Sequence, residues 1–229
     1  MMLKREVKIL YEDRDILVCV KPHGMATQSK NLRDTDMERW VKNHLYCQNS
    51  SEKDPYVAVI HRLDQPVKGI LVFAKNEKAA RGLNKELQGG QFGKYYVAQV
   101  DGIPVKSEGT LENYLVKDGR NNISRVCTAN TKGAKIAKLH YKVLEIDSTE
   151  DEGNRALLEI HLDTGRHHQI RVQLSHMGCP LAGDTKYNPK SKEMKTWQQI
   201  HLCAYKLNFK HPVSGKPMHF ELEKDDWWT

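Results

Sequence analysis

The chain has 229 residues, of which 36 are Lys or Arg and 29 are Asp or Glu, giving a formal charge of +7 and a pI near 9.0. That length can bury a sizeable core, and 15 Gly with 8 Pro are too few for a low-complexity chain. The longest apolar runs, Ile16 to Val20 and Ile70 to Ala74, are far short of a membrane span.

The start, Met1 to Arg5 followed at once by charge, does not read as a secretory signal. Cys19, Cys47, Cys127, Cys179 and Cys203 are scattered singly, with no Cys-x-x-Cys pair. Such a set reads as reduced thiols, and the expected location is cytoplasmic.

In chain order, Val7 to Tyr11 and Ile16 to Val20 are short β-rich runs separated by the polar cluster Glu12-Asp13-Arg14-Asp15, an opening hairpin. Thr35 to Tyr46 places Met37, Trp40, Val41 and Leu45 on one side of a helix. Tyr56 to Ile60 is β-rich, and Ile70 to Ala74 reads as a buried strand. Asn76 is an N-cap for a second helix carrying Ala79, Ala80, Leu83 and Leu87, which Gly89-Gly90 ends. Tyr95 to Val100, Leu139 to Ile146, Ala156 to Leu162 and His201 to Phe209 read as further strands. A third helix is predicted over His167 to Met177, with Gly178 at its stop. No repeat or flexible linker divides the chain, so the pattern predicts an α+β fold with a mostly antiparallel sheet, in one domain over 1–229.

Charge is uneven along the chain. Lys117 to Lys142 carries seven basic residues against Asp118, a net +6, and Leu181 to Pro217 carries seven lysines against Asp184 and Glu193, a net +5. Solvated strand faces would look the same, so this charge alone names no partner.

Several motifs fail on spacing. Gly89-Gly-Gln-Phe-Gly-Lys94 is one residue short for a phosphate loop, with Tyr95 where the magnesium-binding hydroxyl belongs. His167, His168 and His176 have no Cys or acidic partner at ligand spacing, so no metal is expected. By contrast, Asp64 sits in a loop between the Tyr56 to Ile60 segment and the strand at Ile70, where rigid strands hold functional groups. Read alone, an Asp beside Arg62 is more often a structural ion pair than a catalytic group.

Four blocks in order resemble the RluA-like branch of the RNA pseudouridine synthases. These are Val7 to Asp13 with Ile16 to Met25, including Lys21-Pro22-His23-Gly24; His61-Arg62-Leu63-Asp64 with Gly69 to Lys75; Lys94-Tyr95-Tyr96-Val97-Ala98; and Thr164 to Val172 with Gly178 to Asp184. They span nearly the whole chain, from about Val7 to Glu223.

The resemblance implies a mixed, mainly antiparallel sheet with a central catalytic cleft, and isomerisation of uridine to pseudouridine in structured RNA, rRNA or tRNA. This reaction breaks the N-glycosidic bond, turns the uracil, rejoins it through carbon 5 and removes a proton there. It involves no redox change, so no cofactor is expected. The resemblance makes Asp64 the nucleophile, a role that suits a carboxylate already ionised at neutral pH. It makes Arg171 the cation that orients Asp64, and Tyr96 the side chain that stacks on uracil and takes the carbon 5 proton. Tyr95 is the competing assignment, because neighbouring strand residues face opposite sides. Arg62, His61, Lys68 and Arg166 are the expected RNA-binding side chains, the first two holding the flipped nucleotide. For His61, support of the loop is an equal reading.

The pattern departs from the family where Val67 and Lys68 replace the usual Thr-Ser before Gly69. Lys68 then becomes a phosphate contact. The family's frequent N-terminal RNA-binding appendage is expected to be absent, and no obligate protein partner is evident. Two rivals stand: a non-catalytic RNA-binding or RNA-folding module on the same fold, and an Asp-nucleophile hydrolase of small molecules.

Overall fold

The computed structural model describes residues 6–31, 33–49, 54–149, 153–194 and 198–228. In chain order the elements are β1 (Lys8–Glu12), β2 (Ile16–Lys21), α1 (Met37–Gln48), β3 (Ala58–Val59), β4 (Lys68–Ala74), α2 (Glu77–Gln88), β5 (Gly93–Asp101), β6 (Glu108–Asp118), β7 (Ile123–Cys127) and β8 (Lys135–Thr149). There follow β9 (Gly153–Leu162), α3 (Gln169–His176), α4 (Pro189–Glu193), β10 (Leu202–Lys210) and β11 (Pro217–Glu221). The chain forms two compact units, Met1–Lys94 with Ala204–Thr229, and Tyr95–Cys203. Among the described residues no helix is long and apolar enough to cross a membrane.

In the first unit β2 and β4 pair antiparallel, from Ile16 opposite Ala74 to Lys21 opposite Gly69, and every residue of both is buried. Covered on both faces, such strands read as continuous apolar runs, which is how β2 and the Ile70 to Ala74 part of β4 look in the sequence. β1 forms the predicted hairpin with β2, and Asp13 closes its turn by accepting the Asp15 and Ile16 N–H groups. Gly69 has no room for a side chain: a Cβ there would lie 2.4 Å from that of Ala204, and its φ is +148°. The helix at Asn76 is as predicted, its side chain accepting the Ala79 N–H. α1 starts at Met37, two residues later than predicted, because the Asp36 carboxylate caps it by accepting the Arg39 N–H.

The second unit is built on β5, β9, β8, β6 and β7, in that order, with antiparallel registers throughout. Two of these strands, β6 and β7, go beyond those expected from the sequence, as does β11 in the first unit. Along β6 the residues alternate between covered and solvent-facing, and the outward ones are Glu108, Thr110, Glu112 and Tyr114. Glu, Asn and Gly depress strand propensity, so only the period-two pattern marks it. α3 packs on the face made by Leu111, Asn113, Leu115 and Ala137. Gln173 Nε2 donates to the Leu111 and Ala137 carbonyls and to Asn113 Oδ1, while Val172 joins Leu115 and Ala137 in an apolar cluster.

α3 is shorter than predicted. His167 and His168 lie ahead of it, with His168 at a left-handed φ of 54°, and their rings stack at 3.8 Å instead of diverging around a helix.

Candidate active site

The loop carrying Asp64 is fastened on both sides by the last residue of β2 and the segment that follows it. Before Asp64, the Thr27 hydroxyl donates to the Leu63 carbonyl at 3.0 Å and accepts the Leu63 N–H at 3.2 Å. After it, Lys21 Nζ donates to the Gln65 carbonyl at 3.1 Å, and the His23 ring nitrogen Nδ1 lies 2.9 Å from the Pro66 carbonyl. The Val67 N–H closes a turn onto the Asp64 carbonyl at 3.0 Å. Lys21 is 0% exposed, and its ammonium also meets the carbonyls of Pro22 and Met25. A buried ammonium surrounded by backbone oxygens ties the two loops together while satisfying its own charge. Asp64 itself is half-buried at the surface of this turn.

Three of the predicted RNA-binding residues flank that loop, and they differ in setting. Arg62 is exposed. The ring of His61 turns inward, where Nε2 accepts the Val72 N–H at 3.3 Å and the ring meets Phe92 edge-on at 5.9 Å. Burial, with the Lys94 charge adding to it, pushes the His61 pKa down to about 3, so the ring is neutral. Lys68 departs most from expectation. It is buried on β4, and its ammonium donates to the Asp226 carbonyl, so the backbone near the C-terminus takes the place of the expected phosphate. Val67, the other departure from the family pattern, is 2% exposed and fills core volume.

In the second unit Arg171, on α3, is buried and makes a two-pronged pair with Asp184: Nε to Oδ2 and Nη2 to Oδ1, both at 2.8 Å. Two parallel N–H bonds to one carboxylate are the fit for which a planar guanidinium is suited. The Arg171 guanidinium carbon lies 5.2 Å from the centre of the Tyr187 ring. Tyr187 also accepts the Ser124 N–H, and its hydroxyl lies 2.8 Å from His168 Nδ1. Burial first, then the Arg171 charge, lowers the His168 pKa to about 2 and keeps that ring neutral. Asp184 is the residue of this group that sequence reasoning misses as a functional side chain; the available signal is a lone acid in Ala182-Gly183-Asp184 after the arginine helix. Gly183 before it is sterically fixed, since a Cβ would fall 1.8 Å from the Gln199 carbonyl oxygen. Arg166 is half-buried, and its Nε donates to the Ile136 carbonyl at 2.9 Å.

The two tyrosines of β5 are separated by the strand pleat. Tyr95 is opposite His161, which is opposite His140, which is opposite Thr110, all on one face. Tyr96 is opposite Ile160, which is opposite Tyr141, on the other face, the one that α3 covers. Tyr96 is 7% exposed.

On the Tyr95 face, His140, His161 and Asp163 bring three ligand atoms within 4.8 Å of one another. Asp163 already meets His140 Nε2 at 3.0 Å and Lys138 Nζ at 3.7 Å, while His140 Nδ1 meets Thr110 at 2.8 Å. The group therefore works as a charge-balanced hydrogen-bond network. Asp13, Asp15 and His211 form a second such group. There Nδ1 of His211 accepts the Val213 and Ser214 N–H groups, leaving Nε2 to donate to Asp13, and the ring latches two turns together.

The family model described as RNA pseudouridylate synthase matches residues 15–176, a stretch that contains Asp64, Tyr96 and Arg171. This chain belongs to that family. Among its relatives, the dual-specificity RNA pseudouridine synthase RluA of Yersinia pestis is 32% identical over 221 residues, covering 95% of this chain and 98% of its own length. An uncharacterized RNA pseudouridine synthase of Bacillus subtilis, YlyB, is 33% identical over 220 residues, 94% of this chain and 68% of that protein. The fold is that of the human RNA pseudouridylate synthase domain containing 4 protein, with a TM-score of 0.75 at 21% identity over 94% of this chain and 88% of that one. A second human structure, domain containing 1, gives 0.74 at 21% identity, over 96% and 84%. This pseudouridine synthase is an isomerase that acts on RNA, with the α+β fold that the sequence predicts.

Proposed function

We propose that the reaction runs through Asp64, with Tyr96 and Arg171 completing the site and with rRNA or tRNA as substrate in the cytoplasm. The observation that carries the reading is the fastening of the Asp64 loop. A half-buried carboxylate stands on a turn whose neighbours Leu63, Gln65 and Pro66 are each bonded to the end of β2 or to the segment after it. Such pre-organisation is what a nucleophile needs and what a solvated surface acid lacks.

Asp64 attacks the sugar carbon as the glycosidic bond breaks, the uracil anion turns, and its carbon 5 displaces the Asp64 carboxylate from that carbon; the proton then lost from carbon 5 is matched by one taken up at the freed ring nitrogen. The carbon 5 proton passes to Tyr96, whose strand position on the α3 face supports its choice over Tyr95. Arg171 is held in direction by Asp184, so its guanidinium plane is fixed before substrate arrives. Arg62 and Arg166 meet the RNA. His61 and Lys68 serve instead as supports of the loop and of β4, in keeping with the Val72 and Asp226 bonds.

The test is release of tritium from RNA labelled at carbon 5 of uridine. Asp64→Asn should retain RNA affinity and release none. Wild-type release by that variant would overturn the assignment. Binding of RNA without release by the unaltered protein would favour the RNA-folding rival.

A further inference from the structure

We propose that Thr27 is a positioning residue for the nucleophile, acting through the backbone of Leu63. The inference rests on the reading of Asp64 as nucleophile and extends it to a side chain outside the four family-like blocks, two residues past Met25.

Thr27 is 2% exposed, so its hydroxyl exchanges no partner with water. Both of its hydrogen-bonding functions are spent on one residue: the O–H on the Leu63 carbonyl and the lone pair on the Leu63 N–H. That residue immediately precedes Asp64, and its side chain is buried, so the two bonds and the packing together set where the chain enters the Asp64 turn.

Thr27 is itself held from behind. The Glu38 N–H donates to its carbonyl at 3.2 Å and the Met37 N–H to that of Ala26 at 3.0 Å, which ties it to the first turn of α1. A β-branched side chain in this position also has few rotamers to choose from. The path from helix α1 through Thr27 to Leu63 is therefore short, stiff and fully bonded. On the far side of Asp64, Lys21 and His23 fix Gln65 and Pro66, whereas the Leu63 peptide is held at both its N–H and its carbonyl by Thr27. The geometry points to a division of labour in which Thr27 sets the approach to Asp64 and thereby the carboxylate's distance from the sugar.

A displacement of about 1 Å in a reacting group costs on the order of a hundredfold in rate. Thr27→Val keeps the shape and removes both bonds. The expected result is a fall of about tenfold to a hundredfold in single-turnover rate at saturating RNA, with RNA affinity within about twofold of wild type. Thr27→Ser keeps the hydroxyl and should restore the rate to within about threefold. Overturning results are a wild-type rate in Thr27→Val, a defect confined to RNA affinity, or a Thr27→Ser rate as low as that of Val. If Thr27→Val does not fold, Thr27→Cys takes its place: a slowed rate with intact RNA affinity supports the proposal, and a wild-type rate overturns it. Asp64→Asn assayed in parallel separates the two ideas. Turnover in that variant refutes the nucleophile, whereas a silent Thr27→Val beside an inactive Asp64→Asn refutes only the positioning role.

Discussion

The Arg171 guanidinium and the Asp184 carboxylate form a buried, two-pronged ion pair, with exposures of 5% and 0% for the two side chains and both bonds at 2.8 Å. Asp184 Oδ1 additionally accepts the Lys186 N–H, so the loop after α3 is built around the same carboxylate. Removing one member of a buried pair strands the other's charge, which costs about 3–5 kcal/mol. Asp184→Ala should therefore lower unfolding free energy by about that much in urea titration, and Arg171→Lys should lower it less while still losing the planar fork. Unchanged stability in Asp184→Ala would show that Arg171 is held by other groups.

Two inward-turned histidines predict the acid limb of stability. His61 and His168 have folded pKa values of about 3 and about 2, against 6.5 for the free side chain. Below pH 6.5 the unfolded chain takes up protons that the folded chain refuses, so stability falls as pH drops from about 6.5 toward 3, by at most about 1.4 kcal/mol per pH unit for each ring. The fall is complete only below the folded values. Glu12 and Asp13 add a separate, lower limb. Burial raises both, but bonds from Lys75 and His44 to Glu12, and from Ile16, Asp15, Tyr11 and His211 to Asp13, outweigh it and leave both values lowered. Their contribution is present above about pH 4 and disappears as pH falls through the folded values. His168→Asn, which tolerates the left-handed backbone, should flatten the limb between about pH 6 and about pH 4 in a chemical denaturation series. An unchanged slope would mean that His168 is not neutral in the folded protein.

How much of the fold and site is legible in the sequence depends on where the information lies. The β2 and β4 runs and the Asn76 cap are legible because each is decided by a few neighbouring residues. Tyr96 separates from Tyr95 only as far as opposite faces; which face α3 covers is a long-range fact, set by Gln173 reaching Leu111 and Ala137. Lys68 escapes a local reading for the same reason. Its sequence neighbours suggest a loop lysine, while its partner is the carbonyl of Asp226, 158 residues away. Lys21 stands out only as part of a motif, because nothing local reveals that a lysine will be wholly buried under three carbonyls. His167 and His168 look helical by spacing, and the Tyr187 hydroxyl that draws His168 out of the helix lies 19 residues further on.

The uneven charge of the chain leads to the remaining prediction. The β6–β7 hairpin carries Lys117, Arg120 and Arg125, all exposed, and Lys135 is exposed at the start of β8; Lys195 of the second basic stretch lies outside the described residues. Asp118, the lone acid of the first stretch, is turned into the hairpin. Its carboxylate accepts the Asn121 side-chain N–H and the Asn121 and Arg120 backbone N–H groups, which lowers its pKa and keeps it ionised, so the basic residues of the stretch outweigh it only by number. If this hairpin neutralises RNA phosphates, binding releases counterions and the affinity falls steeply with salt. The double variant Arg120→Glu with Arg125→Glu should weaken binding of bulk tRNA or rRNA. It should also reduce the slope of log affinity against log salt by about 0.7–0.9 for each phosphate no longer neutralised, while the single-turnover rate at saturating RNA stays near wild type. An unchanged salt slope would remove the hairpin from the RNA interface, and a lower rate at saturation would place it in the chemistry instead of in docking.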